Sequence, residues 1–241
     1  RLTGIGETVE LDPTYSFTLG TTGTLGTSNS HLYQPHDVAV DSNGNIYVAD
    51  RANQRVQKFN SSGTYVSTIG GNGVGTGNNQ FSYPRGLAVD NNDNVYVADT
   101  NNKRVQKFNS SGVYQMTYGT TGSSGSSNSQ FAHPIDMAFD SSNNMYVGDK
   151  TNHRIQKFNS SGTYVSTIGG GVAGSGNYQF SSPKGVAVDS NDNLYVVEED
   201  NNRVQKFNSS GTYVSTFGTY GTGNGQFQYP QSLAVDGADN V

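Results

Sequence analysis

An all-β fold of repeated four-stranded units is predicted for this 241-residue chain on three observations. Pro35, Pro84, Pro134, Pro183 and Pro230 recur at spacings of 49, 50, 49 and 47 residues. Each opens a copy of one phrase: PHDVAVD, PRGLAVD, PIDMAFD, PKGVAVD and PQSLAVD. Within a copy, apolar and polar residues alternate with period 2 rather than 3.6, which is the signature of strands. Clusters of Gly, Ser and Asn fall where hairpins turn. A repeat of this length made only of strands reads as a propeller blade, which stacks on its neighbours because it cannot bury both faces alone.

Residues 84–133 show the unit. Leu87-Ala88-Val89 forms a first short strand and Asp90 to Asn94 a turn. Val95 to Ala98 is a second strand, and Asp99 to Lys103 a polar connection. Arg104 to Phe108 is a third strand, Asn109 to Gly112 a turn, and Val113 to Tyr118 a fourth strand. A Gly/Ser/Asn-rich return loop, anchored by Gln130-Phe131, leads to the next proline. The first strand alternates bulky and small residues, as crowding around a central channel requires.

One domain over residues 1–241 follows, with complete repeats at about 35–83, 84–133, 134–182 and 183–229. A split blade is assigned to residues 1–34 and 230–241. Thr14 to Gly20 matches the fourth strand at Thr64 to Gly70, and Gly6 to Leu11 is taken as a third strand. Asp239-Asn240-Val241 matches Asp93-Asn94-Val95. The expectation is five blades if the chain closes on itself; the alternative is part of a six-bladed or intermolecularly completed propeller. A start at Arg1 without methionine and a stop in mid-strand predict a trimmed chain.

Composition narrows the function. Hydrophobic residues make up 32% of the chain and glycine accounts for 31 positions, so there is no single thick core, and the strict patterning argues against disorder. Fourteen basic residues are dispersed among nineteen acids, giving a net charge of −5. Nucleic acid is therefore not an expected partner, because phosphate binding rests on clustered Lys and Arg. The absence of cysteine excludes disulfides, thiolate metal sites and thiol nucleophiles. No apolar run approaches the ~18 residues of a membrane span.

The phrase P-x-G-[VLI]-A-V-D, followed by Y-V-A-D-x-x-N-x-R-V-Q-K-F and by G-x-Y with an aliphatic-Gly ending, resembles the NHL repeat over residues 14–241. The resemblance implies a β-propeller used mostly for binding, with lyases as a minority of relatives.

Five groups of residues bear on chemistry. The Asp/Asn turns DSNGN, DNNDN, DSSNN, DSNDN and DGADN cap themselves well. Ca²⁺ is the weaker alternative there, because the bidentate Glu of a Ca²⁺ loop is missing. The pairs Asp50/Arg55, Asp99/Arg104, Asp149/Arg154 and Glu198/Arg203 recur in every blade and read as struts, each fixed by a bidentate Arg–carboxylate bond. His31, His36, His133 and His153 occupy different repeat positions, and one channel-facing histidine, His36, is short of the ligands a zinc site needs. Asn60, Asn109, Asn159 and Asn208 head the only N-x-[ST] sequons, each in a hairpin turn. The same residues make a good turn without a glycan, and both readings stand.

The fifth group is what does not repeat. His36, Asp37, Arg85, Asp136, Lys184 and Gln231, with Arg51, Lys150, Glu199 and Asp200, fall on the return loops and second connections, which are expected to share one face. Variable loops on a rigid scaffold are a usual seat of binding.

The sequence thus predicts a non-catalytic extracellular or cell-surface binding or scaffolding propeller. It assigns no catalytic residue, metal ligand or cofactor. Protein or glycan partners, N-glycosylation and head-to-tail assembly into oligomers or filaments complete the reading. The alternative from another class is a metal-dependent, lyase-like enzyme of the same fold.

Overall fold

In the computed structural model, which describes residues 17–20, 26–29 and 31–241, each of the first four proline-led phrases opens a four-stranded antiparallel meander. Blade 1 comprises β1 (Pro35–Val40), β2 (Ile46–Asp50), β3 (Arg55–Phe59) and β4 (Tyr65–Gly70). Blade 2 comprises β5 (Pro84–Val89), β6 (Val95–Asp99), β7 (Arg104–Phe108) and β8 (Tyr114–Gly119). Blade 3 comprises β9 (Pro134–Phe139), β10 (Met145–Asp149), β11 (Arg154–Phe158) and β12 (Tyr164–Ile168). Blade 4 comprises β13 (Pro183–Val188), β14 (Leu194–Glu198), β15 (Arg203–Phe207) and β16 (Tyr213–Phe217). Among the described residues, helical structure is limited to short 3₁₀ turns, such as Arg51–Asn53 between β2 and β3.

The first strand of each blade begins earlier than the apolar triplet suggests, because the proline itself joins the ladder. Pro84 is the register partner of Asp99, and a bulge separates that pair from Leu87/Val97. A bulge frees residues from regular pairing and re-aims their side chains. Here it falls on the variable positions after each proline.

Period 2 places both faces of each middle strand in a core. Val95 and Val97 face blade 1, where Leu87 and Phe108 join Tyr47, Ala49, Val56, Ile69 and Phe81. Tyr96 and Ala98 face blade 3 and pack with Val105, Tyr118, Phe131, Met137, Met145 and Phe158. A third such core joins blades 3 and 4 through Ile155, Ile168, Phe180, Leu194 and Phe207. The core is therefore a row of interfaces, each built from side chains worth roughly 1.5–3 kcal/mol apiece on burial.

The Gln-Phe anchor of each return loop explains the glycine that ends each fourth strand. Gly119 has φ +92°, and a Cβ there would lie 2.6 Å from the Lys103 carbonyl and 2.8 Å from the Phe131 ring. Phe131 in turn packs 5.9 Å from Phe158. Two short strands, β17 (Thr219–Tyr220) and β18 (Gln226–Phe227), make the same anchor after blade 4.

The split blade does not form a sheet among the described residues. The proposed strands at Gly6 to Leu11 and from Thr14 to Ser16 lie outside them. Phe17 to Gly20 is not a strand, though the Phe17 ring sits 2.7 Å from where a Gly63 Cβ would stand. Residues 230–241 also lack strand pairing, yet Leu233 and Val235 pack on Tyr195, Val197 and Val204 of blade 4. On blade 1 the outward-facing Val38 and Val40 are 56% and 58% exposed, whereas Leu87, Met137 and Val186 at the position of Val38 are buried.

Candidate functional site

Most of the repeated polar side chains are consumed by the fold. Asp99 is fully buried, and its Oδ2 accepts from Arg104 Nε at 2.8 Å and from Asn102 Nδ2 at 2.8 Å, while Oδ1 accepts from Ser82 N–H. The bond to arginine is single rather than bidentate, because the other carboxylate oxygen is taken by the return loop. The arginine's terminal nitrogens reach the carbonyls of Thr76, Gly77 and Gln80 instead. Asp50/Arg55 (2.7 Å), Asp149/Arg154 (3.2 Å) and Glu198/Arg203 (2.6 Å) repeat the pattern. The asparagines Asn53, Asn102, Asn152 and Asn201 complete these hubs. They were visible in the D-x-x-N-x-R phrase but were not singled out.

At the opposite end of each blade the Asp/Asn turns close on themselves. Asp90 Oδ1 accepts the N–H groups of Asn92 and Asn94, and its Oδ2 accepts the Tyr96 hydroxyl at 3.0 Å. Lys107 lies 3.8 Å from that carboxylate and over the Tyr96 ring. This Asp–Tyr–Lys group occurs in all four blades; the sequence reading missed it because its members come from three different elements. The turns also join one another: Ser42, Ser141 and Ser190 donate to Asp93, Asp192 and Asp239 of the following copy.

The four sequon asparagines head exposed turns. Asn60 Oδ1 accepts from the N–H groups of Ser62 and Thr64, and Asn109, Asn159 and Asn208 cap their turns in the same way. The hydrogen bonds of these side chains run through Oδ1; Nδ2 makes none among the described residues.

The variable residues converge at the axis. His36, Asp37, Arg85, Ile135, Asp136, Lys184, Gln231 and Ser232 line one cavity of about 240 Å³ at the start of the first strands. Arg51, Lys150 and Glu199 stand on the same face, at the connections after the second strands. Glu199 accepts from Lys150 at 2.8 Å and from Lys184, and Gln231 donates to it at 2.9 Å. Burial acts to raise the Glu199 pKa, but the bonds from Lys150, Lys184 and Gln231 outweigh it and hold the value at about 2. Asp200 is elsewhere, accepting from the hydroxyls of Ser181 and Ser182 in the return loop.

Two carboxylates sit in the cavity wall. Asp37 accepts from the N–H groups of Val38 and, across the junction, Leu87 at 2.7 Å. Asp136 does the same with Met137 and Val186, the latter at 2.9 Å. Burial, and then the charge of Asp37, pushes the Asp136 pKa up to about 7. The alternate copies carry glycine: a Cβ on Gly86 would lie 2.2 Å from the Ile135 carbonyl oxygen, and one on Gly185 would lie 2.9 Å from the Ser232 Cα.

The histidines do not gather. Burial, with the charges of Arg85, Arg51 and Lys184, lowers the pKa of His36. His133 is lowered to about 4 by burial and by Lys103, Arg85 and Lys150. His153 Nδ1 accepts from Ser182 N–H at 3.2 Å, an inter-blade bond that Gln54 and Asn202 make at the same repeat position. Among the described residues no three His, Asp or Glu side chains are placed to hold a metal ion.

The NHL-repeat family model matches residues 32–59, 81–108, 131–158 and 180–207, each running from the end of a return loop through the third strand. The chain is an NHL-repeat β-propeller. Its fold is similar to virginiamycin B lyase from Staphylococcus aureus, at 16% identity and TM-score 0.59 over 83% of this chain. It is similar to a chain of the nidogen/laminin complex, at 20% identity and TM-score 0.60 over 79% of this chain. A Bacteroides thetaiotaomicron VPI-5482 protein of unknown function matches at 20% identity and TM-score 0.61 over 83% of this chain. The NHL-repeat chain spans 59%, 65% and 54% of those chains, respectively. No curated protein matches it in sequence. No helix among its described residues is long and apolar enough to cross a membrane.

Proposed function

We propose that this NHL-repeat propeller is a non-catalytic binding module whose axial cavity and surrounding loops engage protein or glycan partners. One observation carries the reading: the repeated acids, arginines and asparagines are spent on struts and turns, while the unrepeated residues that follow each proline meet in one cavity on the loop face. A rigid framework with its variability concentrated at one mouth suits recognition. The nidogen/laminin complex, in which a similar propeller belongs to a protein–protein assembly, gives the reading support.

Extracellular or cell-surface placement, with glycans at Asn60, Asn109, Asn159 and Asn208, is the finer part of this proposal and rests on four sequons in exposed turns. Head-to-tail association is a further part, supported by the exposed Val38 and Val40 face of blade 1. The test is a glycan array and a peptide library probed with the whole chain and with a Lys184→Glu variant. Ligands lost on that substitution support the module. Equal binding by both proteins, or none by either, overturns it.

The second reading, a lyase, is favoured by the likeness to virginiamycin B lyase and by His36 lining the cavity. Turnover of virginiamycin B by this chain with a divalent metal supplied would replace the binding reading.

A further inference from the structure

We propose that the axial cavity takes a small oxyanion, a carboxylate or phosphate group, seated on Arg85. This rests on the cavity being the binding site. Arg85 lies in the cavity wall and its guanidinium makes no hydrogen bond or ion pair among the described residues; its Nε is buried without a partner. The contrast with the other blade arginines is sharp. Arg104, for example, donates to one carboxylate, one hydroxyl and three carbonyls. Arg85 is part-buried, and an Nε desolvated without an acceptor is costly; a ligand that brings the missing acceptor recovers that cost. The planar guanidinium fork matches the paired oxygens of a carboxylate or phosphate better than any neutral group.

The surroundings favour the same charge. Lys184 lines the cavity with Arg85, and Arg51 and Lys150 flank it, whereas the chain as a whole carries −5. The acid at this mouth, Glu199, is already shared between Lys150 and Lys184. The cations act on one another: burial and then Arg51 depress the Arg85 pKa, and Glu199 opposes them. Asp37 and Asp136 share the cavity wall and repel an anion, but each already accepts two backbone N–H groups. A volume of about 240 Å³ fits a group of a few heavy atoms, such as the acidic end of a sugar or peptide.

The test is calorimetry of the whole chain at pH 7 and low salt with succinate, inorganic phosphate and uncharged succinamide. Succinate or phosphate binds and succinamide does not; succinate alone identifies a carboxylate ligand, and phosphate alone a phosphate ligand. Arg85→Gln weakens binding about tenfold or more, as loss of a charge-assisted pair requires. Lys58→Gln, on a lysine that reaches the Ser110 carbonyl, leaves it unchanged. Should Arg85→Gln fail to fold, raising the salt on the unmodified chain must weaken binding several-fold. Failure of both anions to bind at ~10 mM, where a millimolar Kd would show, or unaltered binding by folded Arg85→Gln, overturns the proposal. Equal binding of succinate and succinamide removes the oxyanion preference but leaves the binding-module reading to its own array test.

Discussion

Asp136 Oδ2 accepts a 2.9 Å hydrogen bond from the backbone N–H of Val186, which lies fifty residues along the chain and one blade around the axis. Asp37 and Leu87 make the same bond at 2.7 Å. At the intervening junction Gly86 has no side chain, and the next blade comes within 2.2 Å of its missing Cβ. Gly86→Ala therefore forces two backbones apart. A loss of about 1–3 kcal/mol, the range for overpacking, is expected in urea melts. A variant as stable as the parent would show that the junction has slack.

The charge state of Asp136 gives a pH signature. Its folded pKa is raised to about 7, so between the ordinary carboxylate value and 7 the folded state holds a proton that the unfolded state has lost. Stability from this group is present at low pH and declines as pH rises through 7. The lowered pKa values of His36 and His133 act in the opposite direction. The readout is thus the difference between Asp136→Asn and the parent. The variant gains relative stability as pH rises from about 4 to 7. A pH-independent difference would mean that Asp136 ionises normally.

Removal of a hub carboxylate should be far more damaging than removal of a turn carboxylate. Asp99→Ala strands the buried Arg104 charge and the donors of Asn102 and Ser82. The expected cost is about 3–5 kcal/mol. Asp93→Ala breaks only exposed bonds from Ser42 and Asn43 and is expected to cost less than about 1 kcal/mol. Thermal melts of the two variants check the ordering.

Intact mass spectrometry of the protein from its native source tests the sugar. Added hexosamine-containing mass is expected at one or more of Asn60, Asn109, Asn159 and Asn208 and at no other asparagine. Unmodified mass at all four ends that part of the proposal.

The exposed face of blade 1 makes a prediction about assembly. Sedimentation should show a concentration-dependent increase in mass that is abolished by Val38→Lys, since a charge there opposes burial of the face. A monomer at every concentration in both proteins would remove head-to-tail association.

The ladder was legible because it is local. The third strand Arg104–Phe108 was read with the boundaries the structure shows, and the others to within three residues. The convergence of His36, Arg85 and Lys184 was legible only as a shared repeat position, since a repeat that returns to one axis brings equal positions together. Hydrogen-bond direction was not legible. The single-point Asp99–Arg104 bond depends on Ser82 N–H occupying the other oxygen, and that donor belongs to a loop without regular structure. The Asp–Tyr–Lys groups escaped for the same reason, as Lys107 and Asp90 meet only once the strands are paired.

Asp37, Gly86, Asp136 and Gly185 impose a parity on the chain. The arginine hubs recur in all four blades, but at the axis aspartate and glycine alternate from Asp37 to Gly185, and the fifth copy departs with Ser232. Duplication of a single blade would set glycine beside glycine or aspartate beside aspartate, the first without a bridging carboxylate and the second with two like charges in one gap. Only additions in pairs preserve both kinds of junction. Among these four copies an even step keeps the alternation of Asp37, Gly86, Asp136 and Gly185, and an odd step breaks it.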